Sequence, residues 1–87
     1  MKSWTLHFRA SAEKELWRLR NPELARIDGA LARLEEDPYS CPIKKLKNHP
    51  GYRMRVGDWR IVFEISAPEK IIMISAIRHR REAYRKR

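Results

Sequence analysis

The chain has 87 residues, with 20 Lys and Arg against 11 Asp and Glu, a formal net charge of +9. That length suits one small domain, able to bury roughly 60% of the surface its unfolded chain exposes, and excludes a multi-lobed enzyme. The longest apolar run, residues 71–77, is short and interrupted by Ser75, and Met1 to Arg9 lacks the apolar centre of a signal peptide, so the expectation is a soluble, cytoplasmic protein.

From Ser3 to Arg9, Trp4, Leu6 and Phe8 alternate with polar residues, which predicts a strand with one buried face. A helix follows, with Ser11 as the expected N-cap, Glu13 and Glu15 near the positive end of its dipole, and Leu16, Trp17 and Leu19 on its apolar side. Asn21-Pro22 reads as N-cap and first residue of a second helix, where Leu24, Ile27, Leu31 and Leu34 step by three and four. Asp37-Pro38 ends this helical hairpin, because the residue before proline is pushed out of the helical region. Tyr39 to Gly51, with Pro42 and Pro50, reads as an irregular basic connector. The single Cys41 can form no internal disulfide and has no thiol partner for a metal site.

Beyond Tyr52 the period becomes two. Tyr52, Met54 and Val56 alternate with Arg53 and Arg55, and Trp59, Ile61, Phe63 and Ile65 alternate with Arg60, Val62 and Glu64. Gly57-Asp58 between them has the composition of a two-residue hairpin turn, with glycine where a positive φ is needed. A turn at Ser66 to Glu69 leads into an apolar strand, and a basic tail or helix runs from Arg78 to Arg87. The predicted fold is α+β: a β-α-α-β-β-β order in which a two-helix hairpin packs on one face of a four-stranded antiparallel sheet. Trp4, Trp17 and Trp59 are expected in its core.

The charge is unevenly placed. Residues 1–43 hold seven basic and seven acidic side chains, whereas residues 44–87 hold 13 basic and four acidic ones. Confinement of the whole excess to one half suggests an electrostatic footprint for a polyanion, with nucleic acid as the leading partner. An anionic membrane surface would call for a basic amphipathic helix, and the basic half reads mostly as strands. Around a two-residue turn at 57 and 58, Arg55 faces Arg60 and Arg53 faces Val62, so three arginines share one sheet face. Like charges directly opposite each other destabilise a hairpin. An anion among them would explain the arrangement, and an ordinary solvated face is the plain alternative. Arg78, His79, Arg80, Arg81 and Tyr84 follow at the end of the last strand. Guanidinium groups clamp phosphate oxygens, the imidazole of His79 is a group able to move a proton near neutral pH, and Tyr84 could stack on a base.

The string GYRMRVGDWRIVFEI, residues 51–65, followed by IRHRREAYR, residues 77–85, resembles the signature of the RelE/ParE superfamily of toxins from toxin-antitoxin modules. The early helical hairpin and the KKLKNHPG approach agree in order and spacing, and RelE is the nearer branch. The resemblance implies a ribosome-dependent endoribonuclease that cuts mRNA in the ribosomal A site and inhibits translation. Attack of a ribose 2′-hydroxyl on the adjacent phosphate would leave a 2′,3′-cyclic phosphate, with no metal or other cofactor. Carried over by position, the catalytic set would be Arg53, Arg55, Arg60, Arg78, His79 and Tyr84. Lys44, Lys45, Lys47, Arg80, Arg81 and Arg85 would contact RNA or the ribosome. Arginines stand at 53 and 55 where the family pattern has lysines, which favours an anion clamp and leaves the general base to His79, water or ribosomal RNA. The implied partner is an acidic, RelB-like antitoxin, through which DNA would be bound only indirectly, and the free toxin would be a monomer. A ParE-like gyrase poison without nuclease activity, and a noncatalytic RNA-binding module, are the alternatives.

Overall fold

In the computed structural model, which describes residues 3–80, strand β1 (Thr5–Phe8) leads directly into helix α1 (Ala10–Arg18). Helix α2 (Glu23–Glu36) and a short 3₁₀ turn (Pro38–Ser40) follow, then strands β2 (Ile43–Lys45), β3 (Tyr52–Val56), β4 (Trp59–Ser66) and β5 (Ile71–His79). The strands form one five-stranded sheet in the order β1-β5-β4-β3-β2. Two features differ from the sequence expectation. Ile43–Lys45, placed in an irregular connector, is an edge strand antiparallel to β3, and β1 pairs with β5 in parallel, so the sheet is mixed and has five strands instead of four. Three residues between Pro42 and a loop are too few to show alternation, and backbone pairing supplies what the pattern lacked. β1 and β5 are the first and last strands, joined through the whole intervening chain, a connection long enough to permit parallel pairing.

Helix starts also shift. Arg9 takes the cap position of α1 without a side-chain cap, and Ser11 lies inside the first turn, its hydroxyl donating to the Ser75 carbonyl at 3.4 Å. The cause is the abrupt end of β1: Arg9 N–H still bonds the Ile74 carbonyl at 2.9 Å, while its own carbonyl already accepts from Glu13. Pro22 occupies the cap of α2 with helical dihedrals, and the helix proper begins one residue later at Glu23.

The helices cover one face of the sheet. Ile27, Ala30, Leu31 and Leu34 of α2 and Ala12 of α1 close over Met54, Ile61, Phe63, Ile72, Ile74 and Ile77. Trp4 and Trp59 pack partly buried against this cluster, but Trp17 is 79% exposed. The inward stripe runs through Ala12, Leu16 and Leu19, steps of four and three, and Trp17, one residue past Leu16, falls outside it. Cys41 is half-buried, its thiol aimed at the Asp37 carbonyl, and burial raises its pKa against the opposing pull of Arg33. No helix among the described residues is long and apolar enough to cross a membrane.

The β3–β4 register is the expected one. Val56 pairs Trp59, Arg55 pairs Arg60 and Arg53 pairs Val62, around a turn in which Gly57 has φ +61°. Between β4 and β5 the register slips by one at Val62 and Phe63, leaving Ser75 as the extra residue of a bulge. Buried positions along β5 accordingly step from Ile72 to Ile74 and then to Ile77.

Candidate functional site

The face of the sheet turned away from the helices carries the charge. Arg55 pairs with Arg60 and Arg60 with Arg78, so three guanidinium side chains form a row across β3, β4 and β5. One strand step along, Lys44 of β2 pairs with Arg53 of β3, and the row continues through Val62 to Ala76. Arg55, Arg78 and Lys44 are exposed, while Arg53 and Arg60 are half-buried. The bulge is what admits Arg78 to the first row: the slip of one at Ser75 turns Ile77 to the core and Arg78 outward.

His79 pairs with Trp59 and therefore lies on the helix side of the sheet, its ring perpendicular to the indole with centroids 5.1 Å apart. Lys45 points its ammonium at the Tyr52 ring, 5.4 Å from the centroid, and Lys47 is exposed in the loop before β3. Arg81, Tyr84 and Arg85 lie outside the described residues. In that loop Asn48 has φ +57°, and Nδ1 of His49 accepts the Gly51 N–H at 2.9 Å. That bond engages the ring in holding the entry to β3.

Two clefts open along the charged face. One, of about 230 Å³, is lined by Arg55, Gly57, Asp58, Trp59, Arg60 and Arg80. The other, of about 290 Å³, is lined by Pro42, Lys44, Arg53 and Arg55. Asp58 went unnoticed in the sequence except as a turn residue. Its carbonyl accepts the Arg80 N–H at 2.7 Å and its carboxylate stands 4.0 Å from the Arg80 guanidinium, which ties the end of β5 to the hairpin turn. Nothing in a single sequence links these two positions. Among the described residues no group of three or more His, Cys, Asp or Glu side chains could hold a metal ion. The assembled chemistry is that of an anion site: several cations, guanidinium groups capable of bidentate donation among them, beside two open clefts.

The profile of the ParE toxin family of type II toxin-antitoxin systems (parDE) matches residues 6–84. The chain belongs to this family. The toxin's fold is shared with solved structures of RelE proteins. The archaeal RelE in its RelE-RelB complex from Pyrococcus horikoshii is 23% identical, with 88% of this chain and 94% of that chain covered and a TM-score of 0.76. The toxin-antitoxin complex RelBE2 of Mycobacterium tuberculosis is 24% identical, with 92% and 94% covered and a TM-score of 0.77. The isolated Escherichia coli RelE toxin is 16% identical, with 88% and 84% covered and a TM-score of 0.77. At these identities the likeness speaks for the fold. No curated protein matches the sequence.

Proposed function

We propose that this toxin is a ribosome-dependent endoribonuclease that cleaves mRNA in the ribosomal A site. The observation that carries the reading is the row Arg55, Arg60 and Arg78, flanked by Arg53 and Lys44, on the face left bare by the helices. When a ribose 2′-hydroxyl attacks the adjacent phosphorus, charge develops on the nonbridging oxygens of a five-coordinate phosphorane. Preorganised guanidinium groups favour that state over the ground state. The P–O5′ bond then breaks and the departing oxygen takes a proton from water or ribosomal RNA, giving a 2′,3′-cyclic phosphate and a 5′-hydroxyl. The clamp supplies charge. Since His79 lies on the opposite face against Trp59, the hydroxyl proton passes to water or ribosomal RNA in this reading. An acidic antitoxin is the natural counterpart of a +9 protein, and two of the similar structures are toxins in complex with RelB or as RelBE2.

The family profile gives one observation for a second reading, a gyrase poison acting by binding alone. Both are tested by incubating purified toxin with programmed ribosomes, with naked mRNA, and with gyrase and supercoiled DNA. The expected result is cleavage of ribosome-bound mRNA ending in 2′,3′-cyclic phosphate, with naked mRNA intact. Intact ribosome-bound mRNA together with gyrase-trapped DNA breaks would transfer the protein to the second reading.

A further inference from the structure

The cleft at the hairpin turn holds one group that works against an anion. Its lining supplies three cations, Arg55, Arg60 and Arg80, and among the described residues a single carboxylate, Asp58. A negative charge there repels an incoming phosphate, so a surface shaped by anion binding alone would leave the position neutral. The turn does not ask for the charge. Positive φ falls on Gly57, and asparagine suits the second turn position as well as aspartate does. Asp58 is placed against Arg80 instead. Its main-chain carbonyl accepts the Arg80 N–H at 2.7 Å, and its Oδ1 stands 4.0 Å from Nη1 of the Arg80 guanidinium. The main-chain bond is indifferent to the side chain, so the carboxylate can be removed without changing the chain path. Side-chain exposures of 67% for Asp58 and 69% for Arg80 make the pair exchangeable: water screens it, and a competing anion can reach both partners. Arg55 and Arg60, by contrast, meet each other in register, cation against cation.

We propose that the Asp58 carboxylate is a built-in counter-ion of this cleft, holding Arg80 in the free protein and yielding it to a phosphate group of the ligand. The inference rests on the reading of this face as an RNA site and adds a regulation to it: Arg80 joins the bound state only when a phosphate outcompetes Asp58. The consequences have opposite signs. Without the carboxylate the free protein should be less stable, because three neighbouring cations lose their neutraliser. Binding should be tighter, because Arg80 is available without exchange. An ion pair that merely shapes the cleft would, when broken, weaken both stability and binding.

The test compares wild type, Asp58→Asn, Arg80→Gln and the double variant, each as the full chain. The first probe is a fluorescent RNA pentamer with every ribose 2′-O-methylated, so that it cannot be cut, read by anisotropy at about 50 and 200 mM salt. Asp58→Asn should bind roughly two- to fivefold tighter than wild type at the lower salt. Its log K against log salt should steepen by about 0.7, the share of one added phosphate contact. In the Arg80→Gln background the same substitution should change affinity by less than about 1.5-fold, because the gain runs through Arg80. Thermal melts at low salt should place Asp58→Asn about 1–4 °C below wild type. The second probe is inorganic phosphate, titrated while the Arg80 side-chain N–H signal is followed by heteronuclear NMR. In wild type that signal should move toward its position in phosphate-loaded Asp58→Asn. Unchanged or weaker pentamer binding by Asp58→Asn, an equal gain with and without Arg80, a raised melting temperature, or an Arg80 signal indifferent to phosphate would overturn the counter-ion. If the melts and the phosphate titration come out as expected but ribosome-bound mRNA stays intact, the counter-ion stands and the nuclease reading falls. If mRNA is cut but Asp58→Asn gains no affinity, the counter-ion falls alone.

Discussion

Replacing Arg55 with Gln removes one guanidinium from the row of three and leaves the backbone untouched. Arg55 faces Arg60 directly, and Arg60 continues to Arg78, so the substitution deletes one of two adjacent like-charge pairings. The pair beside a two-residue turn is of the hydrogen-bonded kind, which makes Arg55 and Arg60 the next, more closely spaced pair. Like charges in this position cost about 0.2–1 kcal/mol, and Arg55 is exposed, so the value belongs to low salt. For a domain of this size that corresponds to a melting temperature higher by roughly 1–6 °C. Screening shortens to about 3 Å at 1 M salt, where the gain should vanish. RNA affinity should move the other way: loss of one phosphate contact lowers the slope of log K against log salt by about 0.7. Thermal melts by circular dichroism at both salt levels, paired with RNA titrations, read all three quantities. A variant less stable than wild type at low salt, or one whose gain survives 1 M salt, refutes the stored-repulsion argument. An unchanged salt slope refutes the clamp.

Other outcomes follow from particular contacts. A Cβ at Gly51 would lie 2.9 Å from the Phe63 carbonyl oxygen, which belongs to a paired strand and cannot swing aside, so Gly51→Ala should cost about 1–3 kcal/mol in urea denaturation. Trp17 is 79% exposed, and Trp17→Ser should shift the same midpoint by no more than about 0.5 kcal/mol, whereas a core tryptophan would cost several times that. Burial raises the Cys41 pKa, so less thiolate is present at neutral pH than in an unhindered thiol; alkylation by iodoacetamide should be slower than for a cysteine peptide at pH 8, and should accelerate as pH rises.

The hairpin shows where sequence is informative. Gly57-Asp58 fixes loop length, loop length fixes register, and register places Arg53, Arg55 and Arg60 on one face without any knowledge of the rest of the fold. The helices of the hairpin were legible from their spacing, and their starts lie two residues earlier for α1 and one later for α2, because capping by Ser11 or Asn21 was inferred from composition, while the chain path into each helix decided the matter. Ile43–Lys45 was missed because two lysines and a half-buried isoleucine carry no period, so Lys44 could be credited with charge but not with a place opposite Arg53. Trp17 was misplaced because hydrophobicity alone cannot distinguish the inner edge of a helical stripe from the position just outside it. The continuous run 71–77 concealed its facing entirely. Which of Arg78 and His79 turns toward the open face depends on a bulge that no pattern in that run announces.

That bulge makes the site depend on parity. Along β5, Ile72, Ile74 and Ile77 all reach the core only because one unpaired residue, Ser75, falls between the second and the third. Side chains upstream of it are counted in one phase and those downstream in the other, and Arg78 belongs to the second phase. Exchanging Ser75 for another small residue leaves the count intact. Pairing it regularly, opposite Val62, would reverse every later assignment, turning a guanidinium toward Trp59 and the helices and an isoleucine toward water, whereas deleting it would only iron out the bulge and keep each facing. A shift of reading by one position, harmless in a loop, would thus erase a third of the clamp and open the core together. With Ser75 present, the strand can vary in what it carries at this point but must leave that residue out of the ladder.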